Sequence, residues 1–373
     1  MAHAYTPGLK VLEYTVVEKQ RRLPLPGDIS VAKGAKVAAE QVVACTRLPG
    51  NVQTVNVTGL LGIPQDEVHE AMLKKVGDKV AKDELIAQTK GLFGLFKTHV
   101  KSPISGVVES VSKITGQVIL REPPIPVEVI AYIDGIVTEI IKKEGVTVQT
   151  KGSFIQGIFG IGGEIIGELA IASTGPDQVL TPEDIDAKFK DKIIFGGSMV
   201  TYDAMIQARN MGVKGIIVGG IEDQDLKKFM GYDIGVAITG SEKVGLTLIA
   251  TEGFGQLTMA QHTFNLLKSL CGKKASINGA TQIRAGVMRP EVIVPQETSV
   301  NKEPRIASAT GLDIGMDVRI IREPYFGAIG KVVNLPVALQ TIETEAKVRV
   351  LEVELPGPKR VILPRANVEI IEV

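Results

Sequence analysis

The chain has 373 residues, 42 Lys+Arg against 42 Asp+Glu, 44% hydrophobic residues and 4% aromatics with no Trp. That length is too great for one small core and predicts two to four domains. A formal net charge of zero excludes a general attraction to nucleic acid or acidic membranes and weakens repulsion between copies, which permits self-association.

The start, Met1-Ala2-His3-Ala4-Tyr5-Thr6-Pro7, has no basic segment leading into an apolar run. No stretch approaches the ~20 apolar residues that span a bilayer, so no membrane association is expected. Cys45 and Cys271 form no CxxC, and no Cys/His pair has metal-ligand spacing. Reduced thiols in a cytoplasmic protein without metal or cofactor are the expectation.

Two N-terminal segments share one pattern. Val31 to Val37, ending Val42-Val43-Ala44, matches Lys75 to Val80, ending Leu85-Ile86-Ala87. In each, a Gly (Gly34, Gly77) is followed three residues on by Val and ten residues on by Ala. Gly supplies a positive-φ turn and the flanks alternate as half-buried strands do. A second pair runs from Gly106 to Gly116 and from Gly135 to Gly145, each with an alternating strand between. These repeats predict duplicated β-hairpin units.

The residues Gly77-Asp78-x-Val80 to Leu85-Ile86-Ala87, followed by Ser102-Pro103-x-x-Gly106-x-Val108, resemble a barrel-sandwich hybrid of the biotinyl/lipoyl type and its relative in RnfC-like electron-transport subunits. The resemblance implies a duplicated barrel-sandwich hybrid over residues 1–175. In carrier members a Lys stands at a hairpin tip. Counting back from Pro103 to that position gives Leu95, with Lys97 two residues off, so no covalent cofactor is implied. Leu92, Phe93, Leu95 and Phe96 make an apolar tip that water disfavours, and they are candidate contact residues.

Gly157 to Gly167 is glycine-rich but matches neither GxGxxG nor GxxxxGK[ST], and is read as a tight β-turn. From 176 to 298 the pattern predicts an α/β domain. Thr181-Pro182-Glu183-Asp184 is a helix start. Lys192 to Phe195, Lys214 to Val218, Ile234 to Ile238 and Leu246 to Ala250 are strands. Helices are predicted from Thr201 to Met211, Glu222 to Met230 and Gln256 to Leu270. The last has Leu257, Ala260, Phe264, Leu267 and Leu270 on one face. Thr201 to Gly212 resembles the swivelling domain of phosphoenolpyruvate-utilising enzymes, whose motif His takes a phosphoryl group. Asp203 stands at that position here. Asn278 to Gly286 is a polar loop, read as an ordinary connection, with anion binding through Arg284 as the alternative. His262 has no partner in a triad, and no catalytic residue is assigned.

Ser299 to Pro304 reads as linker within a boundary region at 299–310. Gly315 to Val333, with its Phe-Gly-x-x-Gly turn, resembles a KOW motif of NusG-type transcription factors and some ribosomal proteins. It implies an SH3-like barrel over 311–373, with Arg319, Arg322, Tyr325 and Phe326 as candidate contact residues. Glu323, Glu343, Glu345, Glu352, Glu354 and Glu369 dilute the basic charge that phosphate binding needs.

These readings converge on a multidomain, β-rich chain that is not an enzyme. The expectation is a scaffold or adaptor that contacts a protein partner or a second copy. RNA or ribosome association through the tail is the first alternative, and an accessory subunit of a redox or ligase complex the second.

Overall fold

The computed structural model describes residues 9–90, 97–233, 239–240, 242–282, 288–296, 312–320, 324–325, 328–341, 347–357 and 359–372. The architecture is β-rich with several sheets, as the hairpin and strand patterns predict.

After β1 (Leu9–Arg22) the chain enters an outer hairpin unit through the Gly34 turn, the short strand Lys36–Val37 and β2 (Val42–Leu48). It then leaves for an inner unit. That unit holds β3 (Val52–Asn56), α1 (Val57–Leu61), the Gly77 turn with Lys79–Val80, and the hairpin β4 (Leu85–Gln88) to β5 (His99–Lys101). β6 (Gly106–Val111) and β7 (Gln117–Arg121) complete it. The chain returns to the outer unit through β8 (Ile125–Ile130) and β9 (Gly135–Ile141).

The repeats seen in the sequence are therefore nested. Val37 lies opposite Gly135, and Val80 lies opposite Gly106. Gly34 donates to the Val137 carbonyl at 2.7 Å and Gly77 to the Val108 carbonyl at 2.8 Å. Ala131 donates to Gln41 and Ser102 to Glu84, both at 2.8 Å. β2 pairs with β8 as β4 pairs with β5. The inner unit thus stands where the outer hairpin would have its tip. Its core, which includes Val80, Ile86, Val108 and Leu120, is distinct from the outer core around Val37, Val43, Tyr132 and Val137.

The central sheet is built from β10 (Gly145–Gln156), β11 (Phe159–Ile161), β12 (Glu164–Ile171), β13 (Lys192–Phe195), β14 (Gly215–Ile221), β15 (Thr247–Phe254), β16 (Lys274–Asn278) and β17 (Glu291–Pro295). β12, β13, β14 and β15 run parallel in that order. β11 pairs antiparallel with β15, while β16, β17, β10 and β1 extend the other side in antiparallel register. The sheet therefore crosses the boundary expected at 175, because β10 to β12 pair with strands beyond it.

Helices α2 (Tyr202–Asn210), α3 (Asp223–Met230) and α4 (Gln261–Ser269) cover this sheet. Successive strand residues alternate between two cores: Ile194, Ile216, Val218 and Leu248 face α2 and α3, while Ile193, Phe195, Ile217 and Ile249 face α4. Such strands are apolar on both faces because helices cover both. The Thr201 hydroxyl caps α2 by accepting from Ala204 at 3.2 Å, and Gly231 ends α3 with φ of +80°. Pro182–Asp184 is one 3₁₀ turn held by a Thr181–Asp184 capping box. α4 is shorter than the expected Gln256 to Leu270. Leu257 donates to the Ser198 carbonyl and Met259 to the Pro176 carbonyl, so these amides cross the sheet instead of entering a helix. Ile234 to Ile238 lies outside the described residues.

β18 (Asp317–Ile320), β19 (Ile329–Asn334), β20 (Val350–Leu355), β21 (Lys359–Pro364) and β22 (Val368–Glu372) form an antiparallel C-terminal unit with its own core. The 299–310 region lies outside the described residues. This unit is joined to the chain start: β22 pairs in parallel with β1 through Leu9 with Ile371 and Lys10 with Glu372. Among the described residues no helix is long and apolar enough to cross a membrane.

Nesting predicts matched responses to substitution. Gly34 and Gly77 have φ of +85° and +93° with open space at the Cβ position. Alanine at either lowers the unfolding free energy by about 1–2 kcal/mol through backbone strain alone. A Cβ at Gly106 would stand 2.1 Å from the Arg121 carbonyl oxygen, and one at Gly135 2.3 Å from that of Gln149. Urea unfolding should show a larger loss for Gly106→Ala and Gly135→Ala than for the turn pair.

Candidate functional site

In an open parallel sheet the strand carboxyl ends are the usual place for a site. Here the chain's own segments fill that crevice. A Cβ at Gly219 would stand 1.9 Å from the Leu257 carbonyl oxygen, and one at Gly220 2.0 Å from that of Gly255. The absent side chains at the end of β14 let residues 255–257 pass directly over it. Ser198 donates to Gln178 at 2.7 Å and Gly220 to Ser198 at 2.9 Å, which stitches two further segments across the same edge.

At the end of β15 a side chain from the C-terminal unit enters. One Arg319 Nη1 donates to the carbonyls of Thr251 and Glu252 at 3.3 and 3.2 Å. Its Nη2 lies 2.8 Å from Glu252 Oε2, and the two side chains are 3% and 6% exposed. The other Glu252 oxygen accepts from the Ala260 amide at 3.1 Å, at the start of α4. Arg319 Nε is buried without a hydrogen-bond partner.

Two other polar clusters are satisfied by the chain's own groups. Glu242 Oε2 accepts from the amides of Gly162 and Gly240 at 3.0 and 2.6 Å, so a carboxylate of the chain itself takes one donor of the glycine-rich turn. The second cluster joins the outer unit to the central sheet. Tyr132 is fully buried with φ of +70°, a conformation costly for a bulky residue. The Arg21 guanidinium lies 5.2 Å from its ring centroid and makes two 2.6 Å bonds to Glu164. Lys19 pairs with Glu291, and Lys274 reaches both Asp134 and Glu40 at 2.8 Å. The Lys274 bond holds the Glu40 carboxyl below its ordinary range. Burial pushes the Tyr132 phenol well up, with the Glu291 and Glu164 carboxylates adding to it. Its hydroxyl has no hydrogen-bond partner of good geometry. Among the described residues no group of His, Cys, Asp and Glu could hold a metal ion.

The sequence-predicted contact residues do not gather on one described surface. Leu92, Phe93, Leu95, Phe96, Arg322 and Phe326 lie outside the described residues, as does Arg284. Arg319 is not a surface contact residue: it is buried against β15, because the strand that carries it is covered on both faces. Tyr325 packs against the C-terminal core with Lys359 Nζ 4.8 Å from its ring centroid. Sequence reasoning missed Glu252, Glu242 and Tyr132. The match of Ala131-Tyr132-Ile133-Asp134-Gly135 to Ser102-Pro103-Ile104-Ser105-Gly106 was the available signal for Tyr132. It also missed an open cleft of about 860 Å³ in the inner unit, lined by Asn56, Thr58, Gln65, Asp66, Lys113 and Ile114 among others. Comparison with protein families finds no match, and comparison with curated proteins finds none.

Two substitutions separate these roles. Arg319→Met leaves Glu252 buried without its partner and should lower stability by about 3–5 kcal/mol, while E252Q/R319M recovers most of it. Tyr132→Phe removes a buried hydroxyl without a hydrogen bond of good geometry and should be neutral or stabilising by about 1 kcal/mol, against a loss of about 3–5 kcal/mol for Tyr132→Ala. Urea unfolding of the four variants checks both.

Proposed function

We propose that the chain is a non-catalytic scaffold or adaptor that holds its inner hairpin unit out to a protein partner or a second copy. The observation that carries this reading is the mounting of the inner unit at the tip of the outer hairpin. The outer unit is in turn pinned to the central sheet by the Arg21 bond to the Ile130 carbonyl and by Lys274–Asp134. The inner unit also presents apolar side chains to solvent: Ile114 is 84% exposed and Leu60 61%. Exposed apolar groups beside a polar cleft suit a protein contact better than a phosphate backbone. The filled crevice at the strand ends supports a role other than catalysis, and a net charge of zero supports association between like chains.

Light scattering on the full chain should give a mass above the 39.8 kDa monomer, or a pull-down should recover a defined protein partner. Leu60→Glu with Ile114→Glu should reduce that association at least tenfold while leaving the melting temperature within a few degrees. A dilute monomer that captures no partner would sink the proposal. Salt-sensitive RNA binding lost on deleting residues 311–373 would replace it with the nucleic-acid reading.

A further inference from the structure

We propose that Arg319 is a built-in ligand: it fills a guanidinium site at the carboxyl end of β15, and that site takes a free guanidinium group when Arg319 is withdrawn. Three acceptors converge there, the carbonyls of Thr251 and Glu252 and the Glu252 carboxylate. Contacts other than Arg319 flank all three. The two carbonyls lie at an irregularity of β15, between Ala250, which pairs with β11 and β14, and Gly253, which pairs with β14. Glu252 is tied to the Ala260 amide at 3.1 Å, and the Thr251 hydroxyl donates to the Val218 carbonyl at 3.2 Å. A planar fork of donors suits such a set, whereas a compact ammonium reaches fewer of its members.

The occupant comes from a separate unit. The C-terminal core draws its residues from within that unit, and the described strand pairing to the rest of the chain is the two-residue ladder of β1 with β22. The fit is also incomplete, since Arg319 Nε is buried and unpartnered. A buried donor left unsatisfied costs free energy and weakens Arg319 as the occupant of this site. The chemical class of ligand is a guanidinium, and its binding in place of Arg319 would release the C-terminal unit from the sheet edge. This goes beyond the scaffold reading and does not depend on it, because the result holds whether the chain is monomeric or assembled.

The test uses the full chain with Arg319→Ala and hydrogen exchange over residues 251–260 and 317–320. The probe is guanidinium chloride at low millimolar concentration, with urea as the neutral isostere. The expected result is faster exchange in both segments than in the native chain. Guanidinium should reverse that increase over 251–260 at least threefold, with urea without effect. An Arg319→Ala chain that folds only when guanidinium is present supports the proposal equally. A chain that stays unfolded with either additive, or that responds alike to both, overturns it. E252Q/R319M, which keeps the shape and removes the charges, should fold and ignore guanidinium. A response in that variant would also overturn the assignment.

Discussion

The placement of the C-terminal unit rests on the short β1–β22 ladder and on one buried ion pair, Arg319 with Glu252. Removing two charges from water carries a penalty that their attraction repays only when hydrogen bonds satisfy the remaining lone pairs and protons. Glu252 meets that condition through Ala260, and Arg319 does so through two backbone carbonyls, leaving one donor over. Well-packed apolar residues would serve stability as well. The distinctive effect of the pair is orientation: a buried guanidinium has one acceptable position on this edge, whereas an apolar side chain would tolerate sliding. The same carboxylate holds the amide that begins α4, so the docked unit, the end of β15 and the start of a core helix are linked through a single group.

The junction between the outer unit and the central sheet follows the same logic with less burial. Arg21 bonds Glu164 and the Ile130 carbonyl while lying over the Tyr132 ring. Ser276 donates to the Tyr132 carbonyl, which helps hold a non-glycine residue at positive φ. Here the apolar core is shared as well, because Val146, Val148 and Ile293 of the sheet pack with Val37 and Val43. The outer unit is thus part of the body of the molecule. The inner unit, with its own core, is an attachment.

Local rules made much of this legible. The Gly34 and Gly77 turns, the Thr201 cap, the Gly231 stop and the strand Lys192–Phe195 all follow from short-range preferences that the tertiary structure does not oppose. Nesting was hidden because a repeat period says which segments are alike and nothing about which pair. The burial of Arg319 is hidden for a related reason. Between Val318 and Ile320, both fully buried, alternation assigns it to a solvent face. That inference holds only for a sheet covered on one side, and the central sheet covers the other. The start of α4 was misjudged because apolar spacing continues through Leu257 while the backbone there bonds across the sheet.

The mounting of the inner unit is itself mechanically specific. Its chain enters and leaves as neighbouring strands, with Leu48 paired to Ile125 and Val52 to Arg121, so its two ends are already close and little closure entropy is lost. The junction is stitched rather than loose. Glu122 donates its amide to the Asn51 carbonyl, Asn51 returns a side-chain bond to the Glu122 carboxylate, and Arg121 reaches the Gly50 carbonyl. Gly50 lies so near Glu122 that a Cβ would stand 2.0 Å from its carbonyl oxygen. A two-stranded stalk with these cross-bonds resists twisting more than a single linker would. The separate inner core leaves the surface it carries open to change without disturbing the sheet beneath.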